Sequence, residues 1–130
     1  MIPSFRAWDK ETQTMLDVSL IDFKKSVLIG EHWEFGETNF INFDEIELMQ
    51  STGLFDKEGT EVFEGDILHH QIQTEYTFIV KYDKDKGRWY GDGLSRTYRI
   101  DITKRFLPYY YKVIGNIYEN QELLEVDNEN

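Results

Sequence analysis

The 130-residue sequence contains no cysteine. That single absence removes disulfides, thiolate nucleophiles, iron–sulfur ligation and cysteine-based zinc sites together. It also suits a reducing compartment. Proline is scarce, with two residues in the chain, and no repeat or low-complexity segment is present. No run approaches about 20 consecutive apolar residues, so no helix is expected to span a membrane. The N-terminal stretch MIPSFRAWDKE has no apolar run behind a basic one and does not read as a signal peptide. The expectation is a cytoplasmic protein that makes no membrane contact. G-x-S-x-G, phosphate-loop and dinucleotide patterns are also lacking, so the reading is a non-enzyme without cofactor or metal.

What is present is globular: 40% hydrophobic and 30% charged residues, the proportions of a chain that buries a core. The length fits one domain, read as residues 1–125, followed by a frayed acidic tail at 126–130. Aromatic residues are abundant at 15% and lean towards strands. The net charge of −11 is unevenly spread: residues 1–74 carry net −10, residues 75–112 net +4 and residues 113–130 net −5. The chain as a whole repels nucleic acid and anionic lipid, and one segment runs against that trend.

Alternation marks the strands. SFRAWD sets Phe5, Ala7 and Asp9 on one side and Arg6 and Trp8 on the other. KETQ then turns the chain into TMLDV. Residues 19–43 are the least legible, with Gly30 and Gly36 as breaks between one or two strands. DEIELMQ places Ile46 and Leu48 opposite Glu45, Glu47 and Met49, and Thr52-Gly53 ends it. Asp56-Lys-Glu-Gly59 and Glu64-Gly65-Asp66 are turn signals around a short extended piece at Glu61-Val-Phe63. Ile67 opens a strand reaching about Gln73. TEYTFIVKY, DKDKG and RWY form a hairpin with Tyr76, Phe78, Val80 and Tyr82 on one face, broken at Gly91-Asp-Gly93. LSRTYRIDITKRF is ambiguous between strand and helix. PYYYKVIGNIYE is β-prone with a kink at Gly115, and QELLE suits one or two helical turns. The count is six to eight short strands, which suggests a small barrel or sandwich.

Few residue groups carry chemistry. Asp83-x-Asp85-x-Gly87 resembles a calcium loop, but its glycine falls one place early and Leu94 stands where a bidentate Glu is needed. His69 and His70, adjacent in a strand, point to opposite faces, and His32 stands apart, so the three make a poor metal set. The 75–112 segment is the strongest candidate. It interleaves Lys81, Lys84, Lys86, Arg88, Arg96, Arg99, Lys104, Arg105 and Lys112 with Trp89, Tyr90, Tyr98, Phe106 and Tyr109–Tyr111. Cations for phosphates and rings for bases are what single-strand binding requires. Arg88, Trp89, Tyr90, Arg96 and Tyr98 are therefore the candidate partner-binding residues. The competing reading has the rings in the core and the cations paired with acids of the first half. A third reading makes the acids of residues 31–66 and the tail a mimic of DNA that occupies a basic partner.

Three stretches, FRAWD, LMQSTGLFDKEGTEVFEGDIL and VIGNIYENQELL, resemble the YopX family of bacteriophage and prophage proteins. They occur in the family's order and frame nearly the whole chain. Departures are mild: Ser51, Phe55 and Gln121 differ from the usual residue types. The resemblance implies a mainly β fold related to SH3-type barrels, here a barrel or roll of six to eight short strands with a short C-terminal helix. It implies a phage or prophage accessory product made in a bacterial host, and it supplies no activity and no functional residues. Its signature positions Gly53, Asp56, Gly59, Gly65, Asp66, Gly115, Asn116 and Tyr118 read as turn and bend chemistry. Taken together, the expectation is a non-catalytic binding module for a host or phage protein, compatible with a homo-oligomer. The alternatives are single-stranded nucleic-acid binding through 75–112, and an acidic DNA mimic.

Overall fold

The computed structural model describes residues 4–34, 36–94, 99–105 and 107–125. The chain is mainly β and divides into two compact units, 1–51 and 52–130.

In the first unit, β1 (Phe5–Asp9), β2 (Thr14–Asp22), β3 (Val27–His32), β4 (Thr38–Asn42) and the start of β5 (Ile46–Phe55) form an antiparallel sheet in the order β4-β3-β2-β1-β5. The β1–β2 turn is held by its own sequence. The Asp9 carboxylate accepts the backbone N–H groups of Glu11 and Thr12 at 2.9 and 3.3 Å, and Gln13 takes φ 60°. Ala7, Leu16, Leu28, Ile41 and Ile46 make the core. β1 is covered on both faces, because Arg6 is buried as well and its Nε reaches Met49 Sδ at 3.4 Å. Residues 19–43 hide their strands for a physical reason. A bulge between Val18 and Leu20 shifts the alternation of β2, and the next turn is made by Ser26 at φ 56° rather than by a glycine.

In the second unit the end of β5 pairs with β6 (Glu61–Phe63). A five-stranded antiparallel sheet follows in the order β10-β9-β8-β7-β11, from β7 (Asp66–His70), β8 (Thr77–Asp83), β9 (Arg88–Gly93), β10 (Arg99–Asp101) and β11 (Tyr111–Asn116). Val62, Leu68, Val80 and Leu107 form its core. The glycines of 48–68 answer to backbone geometry: Gly53, Gly59 and Gly65 have φ 77°, 82° and 87°. The acids there read as solvent-exposed, but two of them are not. Asp56 and Asp66 are buried. Asp56 accepts backbone N–H groups from Glu58, Thr60 and Val113 at 2.8–2.9 Å, and Asp66 accepts that of Phe63 at 2.8 Å.

Several expectations are corrected. The described residues hold eleven strands, not six to eight, because short strands separated by tight turns merge in a sequence reading. Neither sheet closes into a barrel among them. β5 runs through Thr52-Gly53 rather than stopping there. Thr52 Oγ1 donates to the Val62 carbonyl and accepts from Leu54 N, which supports the strand at that point. β7 ends at His70, not Gln73, because His70 Nδ1 accepts the N–H groups of Ile72 and Gln73 and turns the chain. Gly91 and Gly93 lie inside β9. A Cβ on Gly91 would come within 3.0 Å of Phe78 Cβ and 3.1 Å of Ile100 Cγ1, so close packing rather than a turn explains that glycine. Leu107–Tyr110 is one α-helical turn, α1, where the sequence reads as strand. The kink at Gly115 is present as a register shift in β11, and Gln121–Glu125 forms a 3-10 turn where helical turns are expected.

Candidate functional site

The basic, aromatic segment lies mainly on the β8–β9–β10 meander, which shows what its residues do. Directly opposed residues share a face. Asp83, Arg88, Lys81, Tyr90, Asp92, Arg99 and Asp101 therefore lie on one side. Three cations there meet three carboxylates: Lys81–Asp92 at 2.6 Å, Arg99–Asp83 at 3.1 Å and Arg88–Asp101 at 3.6 Å. The Arg99 guanidinium also sits 3.6 Å from the centre of the Tyr90 ring. Asp83 accepts the backbone N–H groups of Lys86 and Asp85 and faces Arg99, which together hold its carboxyl below the ordinary range. Trp89 points to the other face. It packs against the core and meets Tyr82 edge-on at 5.0 Å.

Of the predicted residues, the structure thus brings Arg88 and Tyr90 onto one face and sets Trp89 on the opposite one. Arg96 and Tyr98 lie outside the described residues, as does Phe106. The cations pair chiefly with acids of their own segment, not with those of the first half. Among the described residues the exception is Lys112, 3.4 Å from Glu58. Lys84, Lys86, Lys104 and Arg105 sit in turns. The tyrosine run belongs to a ring cluster: His70 stacks on Tyr110 at 5.5 Å and meets Tyr111 edge-on at 5.0 Å, and Phe78 meets Tyr111 at 5.9 Å. A cavity of about 420 Å³ in this unit is lined by Leu68, Ile100, Ile102, Leu107, Tyr111 and Thr103, whose buried Oγ1 has no hydrogen-bond partner among the described residues.

The first unit holds two features that sequence reasoning missed. One is a buried polar network. His32 Nε2 lies 3.0 Å from Asp9 Oδ2, and Asn39 Nδ2 lies 2.9 Å from His32 Nδ1. With the Asn39 amide donating, His32 carries its proton on Nε2 and donates it to Asp9. Burial raises the Asp9 carboxyl, but the hydrogen bonds from His32 and from the Thr12 and Glu11 N–H groups outweigh it and leave the value lowered. Both imidazole nitrogens are thereby engaged in holding three strands together. Among the described residues no group of three or more His, Asp or Glu is placed to hold a metal ion. No helix among them is long and apolar enough to cross a membrane.

The other feature is an apolar row on the solvent side of the sheet. Leu20 is opposite Ile29, and Ile29 is opposite Phe40. Leu20 is 51% exposed and Phe40 69% exposed. The row falls in the least legible part of the sequence. Its one available signal was Phe40 alternating with Ile41 between polar asparagines.

Comparison with known proteins places this architecture. Residues 4–125 match the family described as YopX protein. The chain belongs to the YopX family. A crystal structure of protein EF1440 from Enterococcus faecalis is similar, with 34% identity and a TM-score of 0.69, over 96% of this chain and 99% of that one. The crystal structure of protein yopX from Bacillus subtilis shares the fold at 18% identity and a TM-score of 0.54, over 94% and 95% of the two chains. Among curated proteins none matches. The YopX match spans both units, and its signature positions Asp56, Asp66 and Asn116 are buried turn-forming residues. Asn116 Oδ1 accepts the N–H groups of Tyr118 and Glu119. The signature therefore records how the fold is shaped, and the function of this YopX-family protein has to be read from its surfaces.

Proposed function

We propose that this YopX-family protein is a non-catalytic binding module for a host or phage protein, acting in the cytoplasm of a bacterial cell that carries the phage or prophage. The observation that supports this reading is the exposed row Leu20–Ile29–Phe40. Exposed apolar surface with a polar surround is the usual mark of a protein contact. An SH3-type relationship belongs to the same proposal, since small β-folds of that kind recruit partners through sheet edges and loop ends.

The single-stranded nucleic-acid reading through Arg88, Trp89 and Tyr90 has less support. The face that would meet phosphates carries as many paired carboxylates as cations, and Trp89 is committed to the core side. The DNA-mimic reading requires a basic partner and needs no apolar contact. Capture from a lysate of a prophage-bearing host, with the protein immobilised, tests the proposal. A partner retained by the parent chain and by Arg88→Glu, and lost by the Leu20→Ser/Phe40→Ser double variant, supports it. A partner lost on neutralising carboxylates but kept by the double variant supports the mimic instead.

A further inference from the structure

β4 is the edge strand of its sheet. Its pairing with β3 fixes where its backbone groups point. Phe43 N bonds Ser26 O, and His32 N bonds Glu37 O. Hydrogen-bonded pairs alternate in an antiparallel ladder, so Asn39 and Ile41 turn their backbone towards β3. Thr38 and Phe40 aim their N–H and C=O groups at the open edge. Such an edge is a template for an added strand. The ladder puts the Leu20–Ile29–Phe40 row beside it. One register step away lies the row Asp17–Glu31–Thr38. Glu31, Glu34 and Glu37 are exposed and make no ion pair among the described residues. The Thr38 end of the edge is thus acidic, and the middle is apolar.

We propose, resting on the protein-binding reading above, that β4 receives an extended segment of a partner protein by strand addition, with apolar residues and Lys or Arg alternating at every second position. In an antiparallel addition, the partner residue opposite Phe40 shares its face and covers the apolar row. The residue two places further along falls opposite Thr38, beside Glu31, where a cation is favoured. A second copy of this chain is the poorer occupant. Antiparallel pairing of two β4 edges sets the acidic end of one against the Asn42 end of the other. There Asp22, Asp44 and Glu45 outnumber Lys24 and Lys25.

The test selects a displayed library of random peptides against the immobilised full chain and maps the best peptide by backbone-amide NMR shifts. The expected result is enrichment of peptides with an apolar residue and a Lys or Arg two places apart, with the largest shifts along β4. Thr38→Pro removes an N–H that points away from β3, a position where an edge strand tolerates proline. It should weaken the peptide about tenfold while leaving the melting temperature near that of the parent. Phe40→Ser supplies a second variant that keeps the backbone. Shifts that map elsewhere, or peptides of another pattern, overturn the β4 proposal while the wider protein-binding reading stands. No enrichment at all also overturns it, and failure of lysate capture as well takes down the wider reading. A dimer in sedimentation that Thr38→Pro converts to monomer assigns the edge to a second copy and overturns the proposal too.

Discussion

Single carboxylates carry much of the structure, and Asp56 shows how. It is buried and accepts three backbone N–H groups, two in its own turn and one on β11. Asp56→Ala leaves those donors without a partner. A loss of roughly 2–4 kcal/mol is expected, read as a lower urea midpoint. Asp9 gives a pH-dependent counterpart. Its folded value lies below the ordinary 3.8, so its ionised form is favoured by folding. That contribution is fully present above the ordinary value and is lost as pH falls through the folded value. Urea unfolding between about pH 6 and about pH 2 should therefore show the gap between the parent and Asp9→Asn shrinking as acid is added. A gap that stays constant over that range would contradict the assignment. Neither role was legible in sequence. Asp56 was recognised as a turn residue, but its bond to Val113 joins positions 57 residues apart. The Asp9–His32–Asn39 network likewise unites three strands that only the fold brings together.

At the scale of elements, clean alternation made β1, β8 and the start of β5 visible in sequence, and turn chemistry located the hairpin loops. The failures share one cause. Tertiary contact decided the conformation where local signals were neutral or misleading. Gly91 reads as a break, yet it is the one residue small enough to lie between Phe78 and Ile100. Gly91→Ala should cost about 1–3 kcal/mol through overpacking, measurable as a lower melting temperature. Gly115 behaves similarly, since a Cβ there meets the side chain of Asn120, whose Oδ1 holds Asn116 N at 3.0 Å. Gly115→Ala should destabilise by a comparable amount and disturb the amide signals of residues 116–120. The tyrosine run misled in the opposite direction. Its β propensity is real, but Leu107 enters the core and its N–H bonds to the Thr103 carbonyl, so the first turn coils before β11 begins.

At the scale of the whole molecule, both units are acidic. Residues 1–51 hold four basic and ten acidic side chains, net −6, and residues 52–130 hold ten and fifteen, net −5. The net +4 of residues 75–112 already counts Asp83, Asp92 and Asp101; what sequence cannot show is that these acids lie beside Arg99, Lys81 and Arg88 on one face. With three of those cations neutralised by Asp83, Asp92 and Asp101, a fluorescent single-stranded DNA oligonucleotide should show no saturable binding even at low salt, where attraction is least screened. Micromolar binding that weakens steeply with salt would favour the nucleic-acid reading instead. The tryptophans, finally, make the protein its own optical probe. Trp33, exposed and bonded through Nε1 to Asp17 at 2.9 Å, lies at the β2 end of the Asp17–Glu31–Thr38 row. Trp89 is half-buried against Tyr82 in the other unit. Emission from Trp33 should change when a ligand reaches β4, while that from Trp89 stays constant until its own unit melts, so occupancy and unfolding can be followed in one unlabelled sample.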